Sequence, residues 1–373
     1  MKTLRFVSQD ELSSQFGKAV RKNVNDYFKE KNLSTKGNFS MYFKTLILLG
    51  LYLTPLILLV TTSMNGWLAL LMVVIMGIGE AGIGMSIMHD AAHGAYSDKS
   101  WVNRLLASTM HLLGSNTFNW KVQHNIFHHT YVNIHGYDPD IESKSIIRLS
   151  KYAPLKKIHR YQYLYAYFFY GLMTLSKLIS DFSQLSTYNK AGITTEQKSS
   201  PAKEMFQLIL TKILYFSIII GLPILFSPFN WWQILIGFGV LHVTAGTIMS
   251  TVFQMAHVVE NTEQILPGEN DTIEDDWAAH QIKSTSDFAR NSFILSWYVG
   301  GLNFQIEHHL FPNICHVHYK KIAPIVQKTA LEHGLPYHLK PSFSNAFMSH
   351  VRVLKNFGIQ DERNTEKILH AAK

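Results

Sequence analysis

The chain has 373 residues, 47% of them hydrophobic and only 16% charged, against about 25% charged in an average soluble protein. Its single cysteine, Cys315, excludes internal disulfides and a thiolate metal site. The net charge of +8 fits attraction to anionic lipid headgroups and to an anionic substrate, and needs no nucleic acid.

Residues 1–42 are polar and basic, show no secretory signal, and read as a cytoplasmic N-terminal segment. From Thr45 to Gly79 no residue is charged, and Thr61-Thr62-Ser63-Met64-Asn65-Gly66 interrupts the run near its middle. About 20 apolar residues cross a bilayer as a helix. The run therefore predicts a transmembrane hairpin, with spans at about residues 43–62 and 67–88. Leu105–Phe118 is short, apolar, and expected to pack against the cytoplasmic face. Tyr161–Ser176 is aromatic, lies between Arg160 and Lys177, and reads as an interfacial helix. Asn189–Lys203 reads as a linker. A second uncharged run, Ile213–Val259, turns at Ser227-Pro228-Phe229-Asn230 and predicts spans at about 207–226 and 231–256. Residues 321–373 read as a cytoplasmic C-terminal segment, which leaves 43–320 as the main domain.

Of the 34 Lys and Arg, all but Lys44 and Lys212 lie before residue 43, between 89 and 204, or after 256. Neither hairpin turn contains one. The positive-inside rule then predicts both termini and the long middle segment on the cytoplasmic side, of a bacterial inner membrane or of the endoplasmic reticulum. The expected fold class is an all-α membrane protein of four spans in two hairpins.

Eight histidines fall into groups at the membrane ends of these elements: His89 and His93; His124, His128 and His129; His257; His308 and His309. Neutral imidazole is the commonest ligand for first-row metals. A helix places residues four apart on one face, so His89 with His93, and His124 with His128, can each hold one ion. Together the groups supply enough nitrogen for two ions at one face of the membrane.

These boxes, His89-Asp90-Ala91-Ala92-His93, His124-Asn125-Ile126-Phe127-His128-His129 and Gln305-Ile306-Glu307-His308-His309, resemble those of the integral-membrane fatty acid desaturases over roughly residues 43 to 320. Gln305, with Leu310-Phe311-Pro312 following the box, is similar to the front-end branch, which desaturates between an existing double bond and the carboxyl end. The resemblance implies a helical cytoplasmic cap holding a non-haem di-iron centre that activates O2. His89, His93, His124, His128, His129, His257, His308 and His309 would be its ligands, with Gln305 a further candidate through its amide oxygen. Asp90, Asp138, Asp140 and Glu307 sit beside the boxes and are candidates for orienting the imidazoles. The reaction it implies takes an acyl chain on CoA, carrier protein or lipid, with O2 and two electrons, to a cis double bond and water. No HPGG motif of a fused cytochrome b5 occurs in the chain. Electrons are therefore expected from a separate ferredoxin or cytochrome b5, drawn to the basic cytoplasmic face.

Two competing readings remain. One is hydroxylation or another oxygenation on the same di-iron scaffold; the other is a metal-handling transporter, which would place ligands deep in the spans. Only His242 lies deep. Glu80 is nine residues before His89, about 13 Å of helix, and His242 is fifteen before His257, about 22 Å, so the two are not expected to pair directly. His316 and His318 read as surface residues, and His111, His135, His280, His333, His338, His350 and His370 as structural or exposed.

Overall fold

The computed structural model describes residues 4–8, 10–142 and 146–360; of the histidines named above, His370 lies outside them. In chain order its main helices are α1 (Glu11–Glu30), α2 (Phe39–Thr61), α3 (Gly66–Ala92), α4 (Ser100–Ala107), α5 (Thr117–Trp120 continuing through Lys121–His128 to His129–Tyr131), α6 (Gln162–Gly171), α7 (Met173–Lys190), α8 (Pro201–Phe226) and α9 (Trp231–His257). They are followed by α10 (Trp277–Ser284), α11 (Phe293–Tyr298), α12 (Gln305–Leu310), α13 (Tyr319–Glu332) and α14 (Phe343–Phe357). The only strands among the described residues form two-residue parallel pairs, β1 (Arg5–Phe6) with β2 (Thr272–Ile273) and β3 (Asp287–Phe288) with β4 (Leu339–Lys340). The chain divides into two compact units.

The first unit comprises residues 36–122 and 168–251. Its long helices α2, α3, α8 and α9 are each long and apolar enough to cross a membrane, so the four expected spans are present as two hairpins. They begin where caps dictate and not where charge runs out. Asn38 caps α2, Asn65 caps α3, and Ser200 caps α8 with Pro201 at its first position. The first and third spans thus start four to six residues before the uncharged runs suggested. Trp67, Trp231 and Trp232 are exposed at the starts of the second and fourth spans, as interfacial aromatics would be. Pro223 follows a π-helical turn at Ser217–Gly221, where the Leu222 N–H bonds to the Ser217 carbonyl. The wider turn accommodates a residue without an N–H.

Glycines let these helices touch. A Cβ on Gly79 would lie 2.8 Å from the backbone nitrogen of Tyr52 on α2, and one on Gly77 would lie 2.9 Å from the Leu241 carbonyl on α9. Between those contacts Glu80 is fully buried, with its Oε1 3.9 Å from Nδ1 of His242. This corrects the expectation that the two are too far apart to pair. Depth counted along each helix ignores the stagger between helices, and also the π-wound turn Ile83–Met88 that separates Glu80 from His89. His242 is further tied by Tyr215 Oη at 2.8 Å and Thr174 Oγ1 at 3.0 Å. The second cation near a span end, Lys212, is buried and pairs with Asp181 at 2.8 Å. His242 and Lys212 thus meet polar partners within the bundle, as burial in a membrane favours.

The second unit comprises the described residues within 1–35, 123–167 and 252–373. α1 lays Phe16, Val20, Val24 and Phe28, spaced four apart, into a core with Tyr319, Ile322, Ala323, Val326 and Ala330 of α13 and Phe304, Ile306 and Leu310 around α12. Asn23 Nδ2 donates to Thr329 Oγ1 at 3.0 Å across the same seam. The N-terminal residues therefore help to build the support under the third histidine box. α6 begins in this unit, where it buries Gln162 and Ala166 and exposes Leu164.

Candidate metal centre

In the first unit α3 delivers His89 and His93 and then stops. Gly94, at φ +71°, ends it with a left-handed turn in which the Ala95 N–H reaches the Asp90 carbonyl at 2.8 Å and the Gly94 N–H reaches Ala91 at 3.1 Å. The two imidazoles sit 4.8 Å apart by ring centroid, and both meet the edge of Trp120.

In the second unit six histidines converge. α5 is π-helical over Lys121–His128, and this winding changes the expected pairing. An α-helix aligns His124 with His128, whereas a π-turn also brings residues five apart onto one face. His124 Nε2 lies 3.2 Å from His129 Nε2, and the His124 ring stacks on His128 at 5.2 Å. His308 stacks on His124 at 5.9 Å and His309 on His129 at 4.4 Å. His128, His257 and His309 bring one ligand atom each within 4.8 Å of one another, and all three are buried. Phe253, one turn before His257, packs on both the His128 and His257 rings.

The second ring nitrogens are held by neighbours. His128 Nδ1 lies 3.1 Å from Asp138 Oδ2 and 3.5 Å from Asp140. His309 Nδ1 donates to Gln281 Oε1 at 2.7 Å, and His308 Nδ1 meets Tyr319 Oη at 3.2 Å. Gln281 and Tyr319 were missed in the sequence: they belong to α10 and α13, and no local pattern marks them. Burial pushes the His128 pKa down, but the charge of Asp138, its hydrogen bond and Asp140 outweigh burial and raise it.

Glu307 directs its hydrogen bonding elsewhere. Tyr337 Oη lies 2.7 Å from Asp287 Oδ2 and 2.8 Å from Glu307 Oε1. One hydroxyl proton cannot serve two carboxylates. Burial raises the pKa of both carboxyls, and Asp287 beside it raises Glu307 further, well above the carboxylate range. Gln305 Nε2 lies 2.9 Å from His257 Nε2. Asp90 is buried at the end of α3. His316 and His318 are buried in a 3-10 turn, contrary to the surface reading.

The donor set fits a nitrogen-liganded metal. Two nitrogens bound about 2.1 Å from one ion at tetrahedral to octahedral angles stand roughly 3 Å apart, which matches His124 and His129 at 3.2 Å. His128 offers an Nε2 that is buried and has no hydrogen-bond partner, opposite an Nδ1 already held by Asp138. Such a tautomer, with its lone pair aimed inward, is what a metal-ligating histidine presents.

Comparison with known proteins identifies the family. The family model described as "Fatty acid desaturase" matches residues 65–341. The chain is 35% identical over 349 residues to the sn-1 linoleoyl-lipid 6-desaturase of Arthrospira platensis, covering 93% of this chain and 94% of that one. It is 34% identical to the protein of the same name from Synechocystis sp. (strain ATCC 27184 / PCC 6803 / Kazusa), over 92% and 95% of the two chains. An acyl-lipid (8-3)-desaturase of Physcomitrium patens is 32% identical over 95% of this chain and 74% of its own. The family implies non-haem iron. The chain thus belongs to the fatty acid desaturases, and it is an integral-membrane oxidoreductase that uses O2 to desaturate fatty acyl chains.

Proposed function

We propose that this desaturase is of the front-end type, acts on an acyl chain carried by a membrane lipid, and uses two iron ions. The observation that carries the metal reading is the buried convergence of His124, His128, His129, His257, His308 and His309, with Nδ1 of His128, His308 and His309 already engaged. His89 and His93 are proposed as the remaining ligands, from their box spacing and shared helical face. Gln305, hydrogen-bonded to His257, is proposed to tune that imidazole or to bind through its amide oxygen. The lipid-linked substrate rests on the relatives' names, since the linoleoyl-lipid 6-desaturases act on an already unsaturated, lipid-linked chain. The front-end reading rests on the same names and on the Gln305-Ile306-Glu307-His308-His309 box.

The chemistry breaks two adjacent C–H bonds and forms one C=C bond. O2, two electrons and two protons leave with the removed hydrogens as two waters. Bound iron supplies the oxidising power that no side chain has. The chain's own residues do the rest. Asp138, Gln281 and Tyr319 hold Nδ1 of His128, His309 and His308 and so aim Nε2 of each inward. Phe253 gives the His128 and His257 rings an apolar wall that excludes water. The reacting methylene has no polar mark, so its position along a narrow tunnel must select it.

The Lys and Arg distribution supports a cytoplasmic active site and cytoplasmic termini, and the net charge of +8 supports a separate acidic electron donor, a ferredoxin or a cytochrome b5. Cysteines placed at Asn65 and Asn230 should be labelled only from the external side; labelling from the cytoplasm contradicts this topology.

Expression in a host without polyunsaturated lipids, fed acids of different length with a fixed existing double bond, tests the whole reading. Mass spectrometry should find the new bond at a constant distance from the carboxyl carbon. A new bond that tracks the methyl end removes the front-end assignment, and a hydroxylated product removes desaturation as the main activity.

A further inference from the structure

Asn133 is a fully buried residue four positions after His129. Its backbone is left-handed, with φ +56°, a conformation that asparagine tolerates better than most side chains. That conformation points its N–H and its side chain toward different parts of the histidine cluster. The N–H donates to Asp138 Oδ2 at 2.8 Å, and the same carboxylate holds His128. Its Nδ2 lies 2.9 Å from the carbonyl of His257 itself, 3.0 Å from the carbonyl of Ser284 and 3.2 Å from that of Glu263. Ser284 is the last residue of α10, and Gln281, one turn earlier on that helix, holds His309. One residue thus reaches the supports of three imidazoles: His128 through its backbone N–H to Asp138, and His257 and His309 through its side-chain amide to the His257 carbonyl and to α10. Those three form one group whose ligand atoms lie within 4.8 Å of one another.

We propose that Asn133 is the positioning residue for one of the two metal sites, the one made by His128, His257 and His309, and sets the separation of its three ligands. The inference rests on the two-iron reading above. Three ligands on three separate segments must be held to within a few tenths of an ångström to favour one ion geometry, and no other residue bonds to all three supports among the described contacts. Another bond to the His257 carbonyl, from Thr262 Oγ1 at 2.8 Å, anchors that carbonyl without reaching Asp138 or α10. It therefore provides the control.

The full-length protein is purified in detergent as wild type, Asn133→Gly, Asn133→Asp and Thr262→Val, and iron per chain is measured by metal analysis. Cobalt-substituted absorption spectra are recorded in parallel. Glycine keeps the left-handed backbone and the N–H bond to Asp138 but removes the amide; aspartate keeps the shape but turns an acceptor toward three carbonyls. Both Asn133 variants should fall from two irons per chain to about one and lose one class of cobalt bands, while Thr262→Val keeps two irons and both classes. The inference is overturned if Asn133→Gly keeps two irons and the wild-type spectrum, if it loses both irons, or if Thr262→Val loses the same iron. It is also overturned if the metal-free Asn133→Gly protein fails to accumulate, because Asn133 is then required by the fold itself. A wild type that holds fewer than two irons overturns the two-iron reading, and this inference with it.

Discussion

Asp138 and His128 form a buried carboxylate–imidazole pair, with Oδ2 3.1 Å from Nδ1 and neither side chain in contact with solvent. The carboxylate fixes which nitrogen of His128 keeps the proton. Removing such a partner typically costs about 10–100-fold in metal affinity or activity. Asp138→Ala should therefore lose iron to a chelator at least tenfold faster than wild type. Asp138→Asn, which retains an acceptor oxygen, should fall between them. Equal iron retention in all three proteins would remove Asp138 from this role.

Gln281 and Tyr319 act on the third box by the same logic but at different distances, 2.7 Å from His309 and 3.2 Å from His308. Gln281→Leu should reduce turnover by roughly 10–100-fold, and Tyr319→Phe by less, since its hydrogen bond is longer. A turnover assay with matched protein levels decides the order. The reverse order would show that bond length does not rank the supports.

Helix contact through glycine gives a stability test independent of metal. Gly79→Ala places a Cβ 2.8 Å from the Tyr52 nitrogen, a backbone atom that cannot move aside, and should cost about 1–3 kcal/mol. Gly50→Ala, on α2, meets nothing within 4 Å and should be neutral or slightly stabilising. Thermal unfolding in detergent separates the two. Equal melting temperatures would mean that α2 and α3 do not pack through Gly79.

How much of this was legible in the sequence depends on the range of the interaction. The four spans follow from charge-free runs, and their true ends from Asn38, Asn65 and Ser200, single residues that a hydropathy window passes over. The π-winding of Lys121–His128 left no composition signal, so the 3.2 Å approach of His124 to His129 could not be read from four-residue spacing. Glu80 and His242 belong to different hairpins, and their 3.9 Å approach depends on stagger that no single helix encodes. Gln281 and Tyr319 reach the third box from other helices, separated from the imidazoles they touch by 28 and 11 residues. What escaped was long-range side-chain geometry.

His350 makes stability depend on pH. Its Nδ1–H donates to the Val258 carbonyl at 2.6 Å, and burial lowers its pKa to about 4, against an unfolded value of about 6.5. Below about 6.5 the unfolded chain takes up a proton that the folded chain refuses until about 4. The stability associated with neutral His350 is therefore complete above 6.5 and lost as pH falls toward 4, by up to roughly 3 kcal/mol. In metal-free protein His350→Gln should give a shallower loss of thermal stability over that window. Parallel curves for variant and wild type would refute the assignment.

The central claim is that buried imidazoles hold two irons, and X-ray absorption with metal analysis on the purified protein tests it most directly. Two irons per chain, a first shell of nitrogen and oxygen scatterers without sulfur, and an iron–iron vector are expected from the histidine cluster. One metal per chain, or sulfur in the first shell, would contradict it.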